Sequence, residues 1–256
     1  MSDLSVINSA TAAVYARTPV RSVPLRDEYG AISDICIPKS IHDLVSLVRQ
    51  TAGWETGITS EGMKRGGYEA RNIDVYGYDI VRRLAVIQIR RTWKKKESWF
   101  PQVSKAYALV GMDGEQIFSH PLDVSPRRNR RLPMMAPDDV VRWAEAKIFG
   151  VTEDRVADII RQGDVALIPV RAFPPGVTPA KIAAKGGVKR LILRDHHTVM
   201  VDGEILEDEY SWYAHGLVEI EHTKGQHRAV CGEGRFRIAV GRRGEDPWWT
   251  NLAMGD

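Results

Sequence analysis

The alternation of apolar and polar positions changes character several times along this chain, and each change predicts a different element. Residues 1–35 show no clear period, only scattered Pro and Gly, which predicts an extended lead-in or edge strands. Ile41, Leu44, Val45, Leu47 and Val48 then recur at helical spacing. Ser40, with Asp43 three residues on, is a variant capping box in front of them. A short helix is predicted there, followed by a Gly-rich loop from Gly57 to Gly67. That loop has neither the Gly-Lys-Ser/Thr ending nor the Gly-x-Gly-x-x-Gly spacing of a phosphate-binding loop.

From Asn72 to Phe118 the pattern is that of a β-meander. Strands are predicted at Arg83–Arg91, Lys105–Met112 and Gln116–Ser119, with a hairpin turn over Met112–Glu115. A polar tract with three prolines, His120 to Pro133, ends this half. Pro137 with Asp138 and Asp139 then opens a helix that Gly150 stops, because proline suits the first helical position and acids suit the first turn. A second short helix is expected from Thr152 to about Arg161. Beyond Gly163, strands are predicted at Asp164–Val170, Val188–Val201, Trp212–His222 and Arg235–Val240. Asp202-Gly203 and the Cys231–Gly234 stretch are read as turns.

These elements predict a β-rich α+β fold: two small antiparallel β units, each a sandwich or partly open barrel, joined by a short helical pair. The divisions fall at residues 1–136 for an N-terminal unit with one helix, 137–162 for a helical connector, and 163–256 for a C-terminal unit. A single α+β domain of the whole length is the competing architecture.

Composition adds exclusions. At 256 residues, with 43% hydrophobic and 27% charged residues, the chain is an ordinary globular one rather than a disordered one. Its two cysteines, Cys36 and Cys231, are too few for a disulfide framework or a zinc ribbon. No window has the length of a membrane span or a secretory signal, so a cytoplasmic protein with no membrane partner is expected. There is no Gly-x-Ser-x-Gly elbow for an acyl-transfer serine. No cofactor is expected.

Charge changes the picture more. The net charge is only +3, yet residues 82–131 carry twelve Lys/Arg against four acids, leaving −5 for the rest of the chain. Aromatics interleave this basic stretch, so phosphate neutralisation and base stacking are available side by side. The candidate nucleic-acid contacts are Arg90, Arg91, Trp93, Lys94, Lys95, Lys96 and Trp99, with Arg127, Arg128, Arg130 and Arg131 from the proline-flanked loop. No helix-turn-helix, zinc-finger or RNP pattern accompanies them, which favours RNA or another single strand read by charge and shape. The plain alternative is a solvated charge run that protects strand edges.

Five of the seven histidines fall between residues 196 and 227. Period-2 reading puts His197 on the face of Leu191, Leu193, Val199 and Val201, and His222 on that of Val218 and Ile220, so the two are expected at the rim of a shared core. Two imidazoles with a nearby cation can cleave RNA without metal. The candidates are His197, His222 and His227 as acid and base, with Lys224 or Arg228 as oxyanion stabiliser. His196-His197-Thr198-Val199 is similar to the His-x-Thr-x element of the two-histidine phosphoesterases, but that family uses two copies and this chain has one, so no family is assigned. A metal set of His197, His222, His227 and Glu221 is a further reading without a recognised spacing. The lead expectation is a nucleic-acid-interacting protein, RNA or single-stranded, with nuclease chemistry as an extension that would make it a hydrolase. The rival is a non-catalytic adaptor, with Trp248 and Trp249 of the tail anchoring a protein partner or self-association.

Overall fold

The computed structural model describes residues 22–51, 68–94, 100–113, 116–175, 177, 188–193, 197–208, 211–223 and 229–241. Ten strands form two antiparallel sheets. The first has the order β1-β2-β3-β4, from Tyr68–Asp79, Leu84–Lys94, Gln102–Asp113 and Gln116–Leu122. The second has the order β5-β6-β10-β9-β8-β7, from Ile160–Gln162, Val165–Pro169, Val188–Leu193, His197–Asp208, Ser211–His222 and Val230–Val240. Among the described residues two α-helices accompany them, α1 at Lys39–Thr51 and α2 at Pro137–Phe149. The β-rich α+β class is therefore as the pattern predicts.

β2 shows why its sequence runs apolar from Leu84 to Ile87 without alternating. Leu84 and Val86 pack on the side of α2, whereas Ala85, Ile87 and Ile89 pack on the side of α1. A strand covered by a helix on each face needs apolar residues on both, and the one polar residue among these, Gln88, is hydrogen-bonded. On the α1 side, Ile41, Leu44, Val45 and Val48 meet Val75, Ala108 and Val110. α1 begins at Lys39, directly after Pro38, rather than at a Ser40 cap.

α2 is buried along most of its length because sheet lies on both sides of it. Its Val140, Val141, Ala144 and Ile148 share one core with Leu109 and Phe118 of the first sheet and Ala166, Ile168 and Ala239 of the second. Proline at its first position and Gly150 in the left-handed region (φ 63°) bound it as expected. The approach to β1 is close: a Cβ added at Gly77 would stand 2.4 Å from Val140 Cβ and 2.7 Å from the Pro137 carbonyl oxygen. Glu145, buried on α2, accepts two hydrogen bonds from Arg82 Nη1 (2.8 and 3.0 Å) and lies 3.6 Å from Arg161 Nε of β5. One carboxylate thus ties the helix to the β1–β2 turn and to the second sheet.

Three local expectations are corrected. The second helix is a 3-10 segment, Glu153–Asp158, after which Ile160–Gln162 joins the second sheet as its edge strand. Asp202-Gly203 is not a turn but the middle of β8: Gly203 lets the His215 carbonyl oxygen approach to 2.4 Å from where a Cβ would be, and Asp202 Oδ1 accepts the Leu217 N–H at 2.7 Å. Cys231–Gly234 likewise lies inside β10, paired with Gly216–Glu219. In each case long-range pairing prevails over local turn propensity.

The second sheet curls around its own apolar face. Val165, Leu167, Val199, Val218, Ile220 and Ile238 form one core drawn from strands across the sheet. In a flat sheet β6 and β8, separated by β10 and β9, would stand about 14 Å apart. Instead Asp164, beside β6, brings its Oδ1 to 3.6 Å from His197 Nδ1 at the start of β8. Among the described residues no helix is long and apolar enough to cross a membrane.

Candidate nucleic-acid interface

The basic stretch of β2 extends past the end of the helix-covered core, and strand alternation divides it. Arg90 and Lys94 continue the face of Leu84 and Val86. Arg91 and Trp93 continue the opposite face of Ile87 and Ile89, where the Arg91 guanidinium lies 5.1 Å from the Trp93 ring centre. The run read as one patch is therefore two.

On the first face the pairing register lines Asn72, Arg90 and Lys105 in a row across β1, β2 and β3. The next row inward holds Asp74, Gln88 and Tyr107. Gln88 is buried and donates from Nε2 to the Tyr76 hydroxyl at 3.0 Å, and that hydroxyl in turn donates to the Tyr29 carbonyl oxygen at 3.4 Å. These bonds hold the 27–30 turn against the sheet. Arg26 reinforces it, donating from Nη1 to the carbonyl oxygens of Gly30 (2.8 Å) and Tyr76 (2.7 Å).

The Tyr29 ring itself is 47% exposed, and the Arg127 guanidinium stacks 5.2 Å from its centre. Arg127 is set in place by a 3-10 turn, Pro126–Arg128, whose Ser125 hydroxyl accepts the Arg127 N–H. The Glu28 side chain, hydrogen-bonded to the Tyr29 hydroxyl, raises its pKa, while the charges of Arg127 and Arg90 pull it back. Both arginines, distant in sequence, therefore act on one ring. Burial raises the Asp74 carboxyl, with Arg90 and Lys105 opposing and Asp27 and Asp34 adding to the rise. The result is one basic surface: Arg90 and Lys105 side by side on the sheet, and Tyr29, stacked by Arg127, tied through Tyr76 to the neighbouring row.

The availability of these cations differs. Arg90 and Lys105 enter no ion pair among the described residues, and Arg90 Nε is buried without a hydrogen-bond partner in the protein. Arg131 is instead paired with Glu153, and Arg82 with Asp79 and Glu145. Arg128 and Arg130 are exposed on the same loop as Arg127. Lys95, Lys96 and Trp99 lie outside the described residues, as do Trp248 and Trp249. Tyr29, Lys105 and Asp74 were not singled out from the sequence. Tyr29 sits in the aperiodic lead-in, and Lys105 and Asp74 become neighbours of Arg90 only through strand register.

The histidines form a separate cluster. His197 and His222 are direct cross-strand partners on β8 and β9, their rings edge to face at 5.0 Å between centres. His197 is wholly buried, His222 is 6% exposed, and Asp164 adjoins His197. Pairing and alternation place both inside the curled sheet, as the period-2 reading expects. Lys224, His227 and Arg228, the remaining members of the acid–base set, lie outside the described residues. Among the described residues no group of three or more His, Cys, Asp or Glu is arranged to hold a metal. Glu221 is exposed, facing away from His222.

No protein family, curated protein or solved structure matches this chain. The functional reading rests on the geometry of its own residues.

Proposed function

We propose that the protein binds single-stranded nucleic acid across the open end of the four-stranded sheet. The observation that carries this reading is the convergence of Arg90, Lys105 and Arg127, from three separate chain segments, beside the exposed Tyr29 ring. Cations of this kind neutralise backbone phosphates, and a half-exposed ring already stacked by a guanidinium offers a platform for an unpaired base at about 1–3 kcal/mol per base. A duplex would present no free base face to Tyr29, so single strands are preferred.

The His197–His222 pair is given no cleavage step in this proposal. A general acid or base must come within hydrogen-bond reach of the proton it moves, and the His197 ring has no exposed surface from which to reach a phosphodiester.

The test is fluorescence anisotropy of labelled single-stranded RNA, single-stranded DNA and duplex of matched length, at about 50 mM salt. Saturable binding of a single strand, weaker for duplex and weakened by Tyr29→Ala, is expected. The RNA and DNA arms identify which sugar is preferred. Absence of binding to every strand at that salt overturns the proposal.

A further inference from the structure

A carboxylate stands beside the basic row, and no hydrogen bond or ion pair among the described residues accounts for it. Asp74 is the register partner of buried Gln88, one row inward from Arg90 and Lys105. It makes no hydrogen bond or ion pair with any described residue. A nearby acid has structural work: Asp27 Oδ1 accepts the N–H groups of Tyr29 and Ala31. A surface built only to attract phosphate would be weakened by a negative charge beside its cations, since that charge repels the backbone it is meant to hold. Such a charge is better suited to a different part of the ligand.

We infer that Asp74 selects guanine, accepting the paired donors of its Watson–Crick edge while Arg90, Lys105 and Arg127 hold the flanking phosphates. This rests on the single-strand reading above. An ionised carboxylate is an acceptor with two oxygens and no proton to give. Guanine alone among the bases offers two adjacent donors, N1–H and the N2 amino group, which match those oxygens as a fork. Adenine and cytosine place a ring acceptor nitrogen beside their amino group, and that lone pair repels a carboxylate. Uracil and thymine place one N–H between two carbonyl oxygens. Single-stranded bases are read on these edges when splayed over a sheet and stacked on an aromatic ring, here Tyr29. Partial burial strengthens the contact, because the desolvated carboxylate gains more from two donors than a hydrated one.

The experiment uses the whole chain and short uridine oligomers carrying one central guanine, inosine, adenine or cytosine; a single guanine cannot form four-stranded stacks. The guanine oligomer is expected to bind about tenfold or more tighter than the adenine, cytosine and all-uridine oligomers. Inosine, which lacks the N2 amino group, falls between. Asp74→Asn, nearly isosteric, brings all five within about twofold of one another and leaves the all-uridine affinity equal or higher. Equal binding of all oligomers by the unaltered protein, or a guanine preference that survives Asp74→Asn, overturns the inference while leaving single-strand binding in place. Failure to bind any oligomer overturns both. The guanine–inosine comparison needs no variant, so it stands even where the substitution harms folding.

Discussion

The ion-pair inventory predicts which cations contribute to binding, and how much. Replacing Arg90, Lys105 and Arg127 singly and together with Ala removes three charges that no carboxylate among the described residues neutralises through an ion pair. For single strands the logarithm of affinity falls with the logarithm of salt by about 0.7 per phosphate contact. Each single variant should therefore flatten that slope by about 0.7, and the triple variant by about 2. Between about 50 and 200 mM salt, the unaltered protein then loses about 20-fold more affinity than the triple variant does. Arg83→Gly is the matched control. It removes one positive charge and relieves a positive φ of 53°, but it lies at the opposite end of β2, about 23 Å from Arg90 along the strand. That distance exceeds the screening length of about 10 Å at 0.1 M salt, so its slope should be unchanged. Anisotropy titrations across that salt range read the slopes directly. A triple variant with the slope of the unaltered protein, or an Arg83→Gly variant as affected as Arg90→Ala, refutes the assignment of binding to this surface.

Three further outcomes test the scaffold around it. Glu145→Ala leaves Arg82 and Arg161 without their shared carboxylate; partial exposure of both arginines moderates the loss to about 2–3 kcal/mol in urea unfolding, and a loss below about 0.5 would show that the network is incidental. Burial raises the Tyr76 pKa to about 12, against an opposing hydrogen bond from Gln88. The unfolded chain gives up this proton near pH 10 and the folded chain does not, so this contribution to stability is complete below pH 10 and is lost as pH rises towards about 12; denaturation series should show a smaller decline in Tyr76→Phe. His197→Ala removes a buried ring from the core of the second sheet and should cost about 2–4 kcal/mol while leaving single-strand affinity within about twofold; a selective loss of affinity would bring the histidine pair back into function.

Much of this architecture was legible along the chain. The apolar run at Leu84–Ile87 marks a strand covered on both faces, and Pro137 and Gly150 bound α2 as their backbone preferences require. Alternation also placed His197 and His222 on core-facing sides of their strands, because side-chain direction in a strand follows from position alone. The strands at Ile160–Gln162 and Cys231–Gly234 were hidden, since a short edge strand and a Gly-rich strand carry turn chemistry and are held only by partners distant in sequence.

The sequence by itself therefore determined the composition of the sheets, the ends of α2 and the excess of positive charge between residues 82 and 131. The tertiary structure decided which of those charges can meet a ligand. Register set Lys105 beside Arg90, the 27–30 turn brought Tyr29 under Arg127, and Glu153, Glu145 and Asp79 neutralised Arg131 and Arg82. Local propensity acts over a few residues. The basic surface is made by pairs separated by many, and only folding brings those together.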